Sequence, residues 1–372
     1  MQSQSLVEHI KKIPDPRIKG KCSHKLVDIV AISICAILCG ADDWNAIEDF
    51  GNAKQSWFEG FLELPNGIPS HDTFRRLFSL LSPEAFEHFF TEWVQDIAGL
   101  VQGVIAIDGK TLRRSHDHLL GKKAIHMVSA WSVENQMVLG QVKTEEKSNE
   151  ITAIPKLLNI LAIKGCIITI DAMGCQRSIA EQIIDQKGDY LLALKGNQER
   201  LSKAVETTFD QAEKVNFEGY DFDYHETKET SRNRTEIRRY WTLRCDETLD
   251  QAKQWKSLNI IGQVECERTV KEETTVEHRY YIGSIENNAT LFGESVRQHW
   301  GVENSLHWQL DMSFREDESR IRKGYSAQNF AVMRHLALNL LKQEKTSKLG
   351  VKNKRLKAGW DEGYLKTLLN GA

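Results

Sequence analysis

The sequence has no CxxC pair, no apolar leader, no long apolar run, no internal repeat and no excess of basic charge. Each absence removes a class of function. The seven cysteines (Cys22, Cys35, Cys39, Cys166, Cys175, Cys245, Cys266) are scattered and odd in number. That pattern argues against a disulfide framework and a zinc module, and it suits a reduced cytoplasm. Residues 1–17 lack the apolar segment of a signal peptide. The most apolar stretch, Leu26 to Cys39, carries Asp28 and is too short to span a bilayer. It is expected as a buried helix, and no membrane contact is expected. A net charge of −3 rules out a global basic field that would draw in nucleic acid.

What is present is an ordinary globular mix. The chain has 372 residues, 41% of them hydrophobic and 27% charged, enough for one large or two smaller domains with a real core. Charge is uneven locally. Arg320 to Lys357 holds eleven Lys or Arg residues against one acid, Glu344, and a second basic stretch runs from Lys11 to Lys25. Either is a solvated face or a phosphate-contacting patch.

Residues 1–100 read as short helices. Asp43 to Phe61 has apolar residues near helical spacing, Ser70 is a plausible N-cap, and Ser82-Pro83-Glu84 opens a further helix. Beyond Gly103 the period changes. Val104 to Asp108, Ala124 to Val133 and Met137 to Val142 read as strands. Then come a helix (Asn149 to Ala162), a strand (Cys166 to Asp171), a helix (Ser178 to Gln186), a strand (Asp189 to Lys195) and a helix (Asn197 to Ala212). That order predicts a mixed α/β sheet. Residues of about 214–288 alternate charged and β-prone types and read as strands that leave or extend the sheet. Helical periodicity runs from Thr290 to about Lys342. Residues 343–372 are polar and basic, with a short helix expected at Glu362 to Leu369.

Two aspartates end apolar strands, Asp108 after Val104-Ile105-Ala106-Ile107 and Asp171 after Ile167-Ile168-Thr169-Ile170. Neighbouring strand ends in an α/β sheet meet at one edge, where ligands bind. Carboxylates that converge there repel unless a cation lies between them, and their oxygens favour hard ions such as Mg²⁺ or Mn²⁺. The alternative is a pair of unrelated turn acids. On the helix Glu294 to Leu310 and just beyond, His299, Glu303, His307 and Asp311 recur every four residues on one slowly drifting face. That ridge is a solvated stripe, a His/Glu transition-metal site, or the source of a third carboxylate.

These segments resemble the DDE transposases of the IS4-like superfamily, and among them the ISAs1 group and H-repeat-associated proteins. The likeness is carried by Ile105 to Thr111, Ile170 to Gln176, Leu194 to Gln198 and His299 to Asn304, continuing through Phe314 to Asp317 and Ser319 to Arg322. It covers nearly the whole chain. It implies a helical transposase-associated domain (1–100), an RNase H-like catalytic domain (101–342) with a β-rich insertion at about 214–288, and a basic tail (343–372). It implies a catalytic, metal-binding triad of Asp108, Asp171 and Glu303, holding Mg²⁺ or Mn²⁺ as a pair of ions. The reaction implied is cleavage at element ends and strand transfer into target DNA. It further implies a bacterial, cytoplasmic protein that works on DNA as a homodimer. A decayed or repurposed DNA-binding transposase, and a nuclease of the same fold, are the alternatives.

One motif departs from the wider superfamily, which carries Tyr, Arg and Lys around the glutamate. Here Val296, His299 and Leu310 fill those slots. Candidate phosphate contacts are therefore Lys110, Lys195, Asn197, Arg297, His299, His307, Arg320 and Arg322. Trp300 and Trp308 are expected mainly as core residues, or else as stacking platforms for a flipped base.

Overall fold

The computed structural model describes residues 5–116, 121, 123–145, 149–231, 234–245, 249, 251–271 and 273–370. They form two compact units, each assembled from separate parts of the chain.

One unit comprises residues 101–108 and 148–302. Its strands are β1 (Gly103–Leu112, up to Asp108), β4 (Cys166–Ile170), β5 (Asp189–Leu194), β6 (Phe222–Ser231), β7 (Arg234–Arg244), β8 (Ile260–Val270) and β9 (Glu273–Gly283). They lie in the order β1-β4-β5-β9-β8-β7-β6. β1, β4 and β5 run parallel, and every later pairing is antiparallel. The helices are α7 (Glu150–Ile160), α8 (Arg177–Asp185), α9 (Glu199–Lys214) and α10 (Ala289–Val302). The parallel strands are near-continuous apolar runs. Val104 to Ile107, Ile168, Ile170, Tyr190, Leu191 and Leu192 are all at most 4% exposed, as strands buried on both faces require. The β-prone stretch of residues 214–288 extends this sheet. Its inner face packs on α10, where Phe292 lies against Tyr240 and Tyr281. A Cβ at Gly262 would come within 2.6 Å of the Phe292 ring, so that strand position must stay bare.

The other unit comprises residues 1–100, 109–147 and 303–372. Its helices are α1 (Leu6–Lys11), α2 (Leu26–Leu38), α3 (Trp44–Ala53), α4 (Gln55–Phe58), α5 (His71–Leu80), α6 (Pro83–Ala98), α11 (Trp308–Phe314), α12 (Ser326–Gln343), α13 (Val351–Trp360) and α14 (Glu362–Leu369). β2 (Ile125–Ser132) and β3 (Met137–Lys143) form a hairpin in the order β3-β2-β1, next to the far end of β1. Ser82 caps α6 through the Ala85 amide, with Pro83 at the first helical position. α12 is buried from Ser326 to Leu341 and packs on α2, α5, α6 and β3. Two asparagines buried on it are hydrogen-bonded across the unit. Asn329 donates to the carbonyls of Phe78 and Leu81, and Asn339 closes a two-way bond with the Val138 backbone, both at 2.8 Å.

The strand order β3-β2-β1-β4-β5, with β2 and β3 antiparallel and β4 and β5 parallel to β1, is the RNase H-like arrangement expected from the sequence, and the helical N-terminal region is present. Three features differ from expectation. β1 does not stop at Asp108 but runs on to Leu112, whose side chain packs with Met127 and Ala331. The helix expected from Glu294 to Leu310 is interrupted by a π-helical turn, Glu303–His307. Residues 343–370 hold the short helix expected at Glu362–Leu369 and, beyond expectation, a second helix before it. They carry α13 and α14, which are pinned by buried cations. Arg355 donates to the Ile37 and Ser313 carbonyls and to Asp42, while Lys354 donates to the carbonyls of Leu341 and Glu344. Burying two cations requires such partners. Among the described residues no helix is long and apolar enough to cross a membrane.

Candidate functional site

The two aspartates are placed by strand register. Ile107 of β1 pairs with Ile170 of β4 in a parallel ladder. Asp108 and Asp171 are the next residues on each chain, so their backbones lie about 5 Å apart, the spacing between paired strands. Both side chains are half-buried. The Asp171 carboxylate caps a short 3₁₀ turn, accepting from the amides of Met173 (3.0 Å) and Gly174 (3.3 Å). Burial raises its pKa, the negative charge of Glu150 at the start of α7 raises it further, and the net result is upward despite the amide bonds and Lys195. Sequence reasoning missed Glu150. The only signal for it was its position one residue after the Asn149 helix cap.

Other side chains gather around Asp171 within this unit. Asn197 donates to the Ala172 carbonyl and Gln198 to the Cys175 carbonyl at 3.0 Å, fixing the turn that follows Asp171. Lys195 is close enough to lower the carboxyl pKa. On α10, His299 Nδ1 lies 3.0 Å from the Thr169 hydroxyl, two residues before Asp171. Burial pushes the His299 imidazole down to about 4, so it is neutral at physiological pH. Arg297 is bound to Glu229 at 2.7 Å. Trp300 is 44% exposed with the Arg279 guanidinium 4.2 Å over its ring, and Trp308 is 53% exposed. The expectation that both are core residues is therefore overturned. Their neighbours on these helices, Val302, Leu306 and Leu310, take the buried positions instead.

Glu303 directly follows α10, is exposed, and opens the π-helical turn. Such single turns carry one residue more than the α-helix needs, and they concentrate at functional sites. In the same unit, the Lys110 ammonium lies 2.6 Å from Asp311, 3.2 Å from Glu316 and 3.4 Å from Asp317. Burial opposes its charge, but the Glu316, Asp311 and Asp317 carboxylates outweigh this and raise its pKa. Lys110 is thus engaged by acids. Glu316, buried itself, is also 3.5 Å from Arg334. His307 lines a small cavity with Lys110, Glu316 and His335. Arg320 and Arg322 line a different cavity, of about 660 Å³. The basic run from Arg320 to Lys357 therefore divides. Arg334, Lys354 and Arg355 are buried, and Arg320, Arg322 and Lys323 face open space.

Among the described residues no three His, Cys, Asp or Glu side chains are already gathered as a metal site. The donor chemistry nonetheless fits a hard divalent cation. Asp108 and Asp171 are in matched register, and the Asp171 pKa is raised by burial and by a neighbouring carboxylate, a strain that a cation relieves.

Residues 99–340 match the family model described as "Transposase DDE domain", and residues 7–94 match the model described as "DDE_Tnp_1-associated". The chain is 45% identical over 380 residues to "H repeat-associated putative transposase YhhI" of Escherichia coli K12, covering 100% of this chain and 99% of that protein. It is 46% identical over 375 residues to "Putative transposase YncI" of Escherichia coli O157:H7, covering 99% and 95%. A solved piggyBac transposase synaptic complex with hairpin DNA aligns with 98% of this chain and 78% of its own at 9% identity. Its TM-score of 0.44 is too low to carry an argument. With a family match over most of its length and full-length relatives at this identity, the chain belongs to the DDE-domain transposases and is a transposase enzyme.

Proposed function

We propose that this transposase cuts DNA at the ends of a mobile element and joins the freed 3′ ends to target DNA, using Asp108, Asp171 and Glu303 to hold Mg²⁺ or Mn²⁺. The observation that carries the proposal is the matched register of Asp108 and Asp171 on adjacent parallel strands. When bound, a pair of such ions supplies activation of the attacking oxygen and charge stabilisation on the leaving oxygen. The chain supplies the rest. Asp171 is oriented by the Met173 and Gly174 amides, and Asn197 anchors the turn behind it. Lys195, exposed and near Asp171, would meet a phosphate oxygen. His299 is neutral, so it donates or accepts a hydrogen bond without adding charge. No covalent protein–DNA intermediate is needed, and none of these residues serves as a nucleophile. Joining two element ends requires two active sites, so a homodimer on DNA follows from the reaction.

A cleavage assay on element-end DNA, with and without Mg²⁺, tests this reading. Asp108→Asn or Asp171→Asn should lower cleavage by about 10³-fold or more, equivalent to several kcal/mol of transition-state stabilisation. The thermal midpoint should be little changed. Unchanged cleavage in either variant removes the triad. A second assay with a pre-cleaved 3′-OH end separates strand transfer from hydrolysis alone.

A further inference from the structure

The cavity of about 660 Å³ is lined by Arg75, Arg320, Arg322 and Lys323, together with the acids Asp42, Asp43 and Glu318. The acids are already satisfied. Asp42 is 3.2 Å from Arg355, Asp43 caps α3 through the Ala46 amide at 2.9 Å, and Glu318 is held by Arg315. Arg75 is paired with Asp72 at 2.6 Å. Three cations remain. Arg322 donates Nε to the neutral Arg114 carbonyl at 2.9 Å, which fixes its position and leaves its charge uncompensated. Arg320 and Lys323 are exposed and, among the described residues, have no carboxylate partner. These cations lie on the connector between Glu318 and α12, which has no regular secondary structure from Ser319 to Arg322.

We infer that this cavity is a clamp for the phosphodiester backbone of DNA, held by Arg320, Arg322 and Lys323. The inference rests on the reading of the enzyme as acting on DNA and adds a contact point away from the carboxylates. Positions 320 to 323 can span about 10 Å of chain, which suits a row of phosphates better than a single anion. A guanidinium fixed by a carbonyl is oriented before the phosphate arrives, so less freedom is lost on binding. Glu318 is neutralised locally by Arg315; Asp43, held by an amide, keeps its charge, but the three cations outweigh it.

The test is fluorescence-anisotropy binding of the full-length protein to a 30-base-pair duplex of arbitrary sequence, from about 50 to 200 mM NaCl, where each phosphate contact contributes roughly 0.9 to the log–log salt slope. Arg320→Gln/Lys323→Gln removes two exposed cations that hold nothing in the fold. It should weaken binding about tenfold or more at low salt and reduce the slope by about 2. Lys123→Gln/Lys366→Gln makes the same loss of two positive charges at exposed residues of the same unit, outside the cavity and outside both basic stretches, and should have a much smaller effect. Equal losses in the two variants, or no loss in the cavity variant, overturn the clamp. Inorganic phosphate that binds saturably and is lost in the cavity variant, with DNA affinity unchanged, also overturns it in favour of a small-anion site. If the parent protein shows no salt-dependent DNA binding at all, the failure lies with the DNA reading itself.

Discussion

The three parallel strands and the four antiparallel strands of the inserted region belong to one unit but are held by different forces. β1 from Val104 to Ile107, β4 and most of β5 are apolar and largely buried. β6 has no buried residue, and the outer parts of β7, β8 and β9 are stitched by charge. Arg239 reaches Glu226 and Glu267 at 3.0 Å and also Glu265, while Glu236 is met by Arg234, Arg238 and by Arg268 at 2.8 Å. Burial cannot be screened and is lost when atoms are removed. Glu236 is buried, but the Arg239 cluster is partly exposed, and such pairs are screened by water and salt, so removing one costs little. The parallel strands therefore offer a fixed frame on which carboxylates are placed by register, and the insertion offers a surface that tolerates change.

The contrast can be broken at three strengths. Ile168 on β4 is fully buried, so Ile168→Ala should cost about 2–5 kcal/mol in urea unfolding. A cost near that of a surface substitution would mean the parallel strands are not the rigid part. The second effect depends on pH. His299, bound to β4 through Thr169, has a folded pKa of about 4 against an ordinary 6.5. The unfolded chain takes up this proton first as pH falls. The stabilisation is thus complete above about pH 6.5, is lost progressively between about 6.5 and 4, and stays lost below. Between pH 6.5 and 4.5 the parent should lose about 2 kcal/mol more stability than His299→Gln. Parallel pH profiles for the two proteins would contradict the burial of that imidazole. The smallest effect is on the insertion, where Arg239→Gln should cost roughly 0.2–1 kcal/mol, shrinking as salt is added. A salt-independent loss of several kcal/mol would erase the difference between the regions.

The strands and the aspartate pair were legible because each apolar run of four or five residues is bounded by turn-forming types, and the strand order follows once the acids are matched. The strand end at Asp108 was not legible, because Gly109 fits a turn as well as a continuing strand. Arg334, Lys354 and Arg355 belong to a run that the sequence offers as a solvated face or a phosphate-contacting patch, and they are neither, being buried. Nothing in residue type distinguishes Arg355, which satisfies carbonyls inside the fold, from Arg320, which faces a cavity. Lys110 is a candidate phosphate contact from its place after a strand end, and its carboxylate partners are not legible beside it because they lie some two hundred residues away in sequence. The exposed Trp300 and Trp308 show the same limit, since a helix with two apolar sides does not announce which one is covered.

The π-helical turn has a consequence for the direction in which side chains point. In a regular helix, the eight steps from Glu303 to Asp311 turn through about 800°, leaving the second acid about 80° out of line with the first. One extra residue absorbed in the wider turn takes off about 100°, and the two acids come back to within about 20° of each other. Asp311 holds the Lys110 ammonium at 2.6 Å. The widened turn thus lines up, along one edge of the helix, a carboxylate free to meet a cation and a carboxylate that already has one. Deleting a single residue there would leave every side chain chemically intact and spoil that alignment.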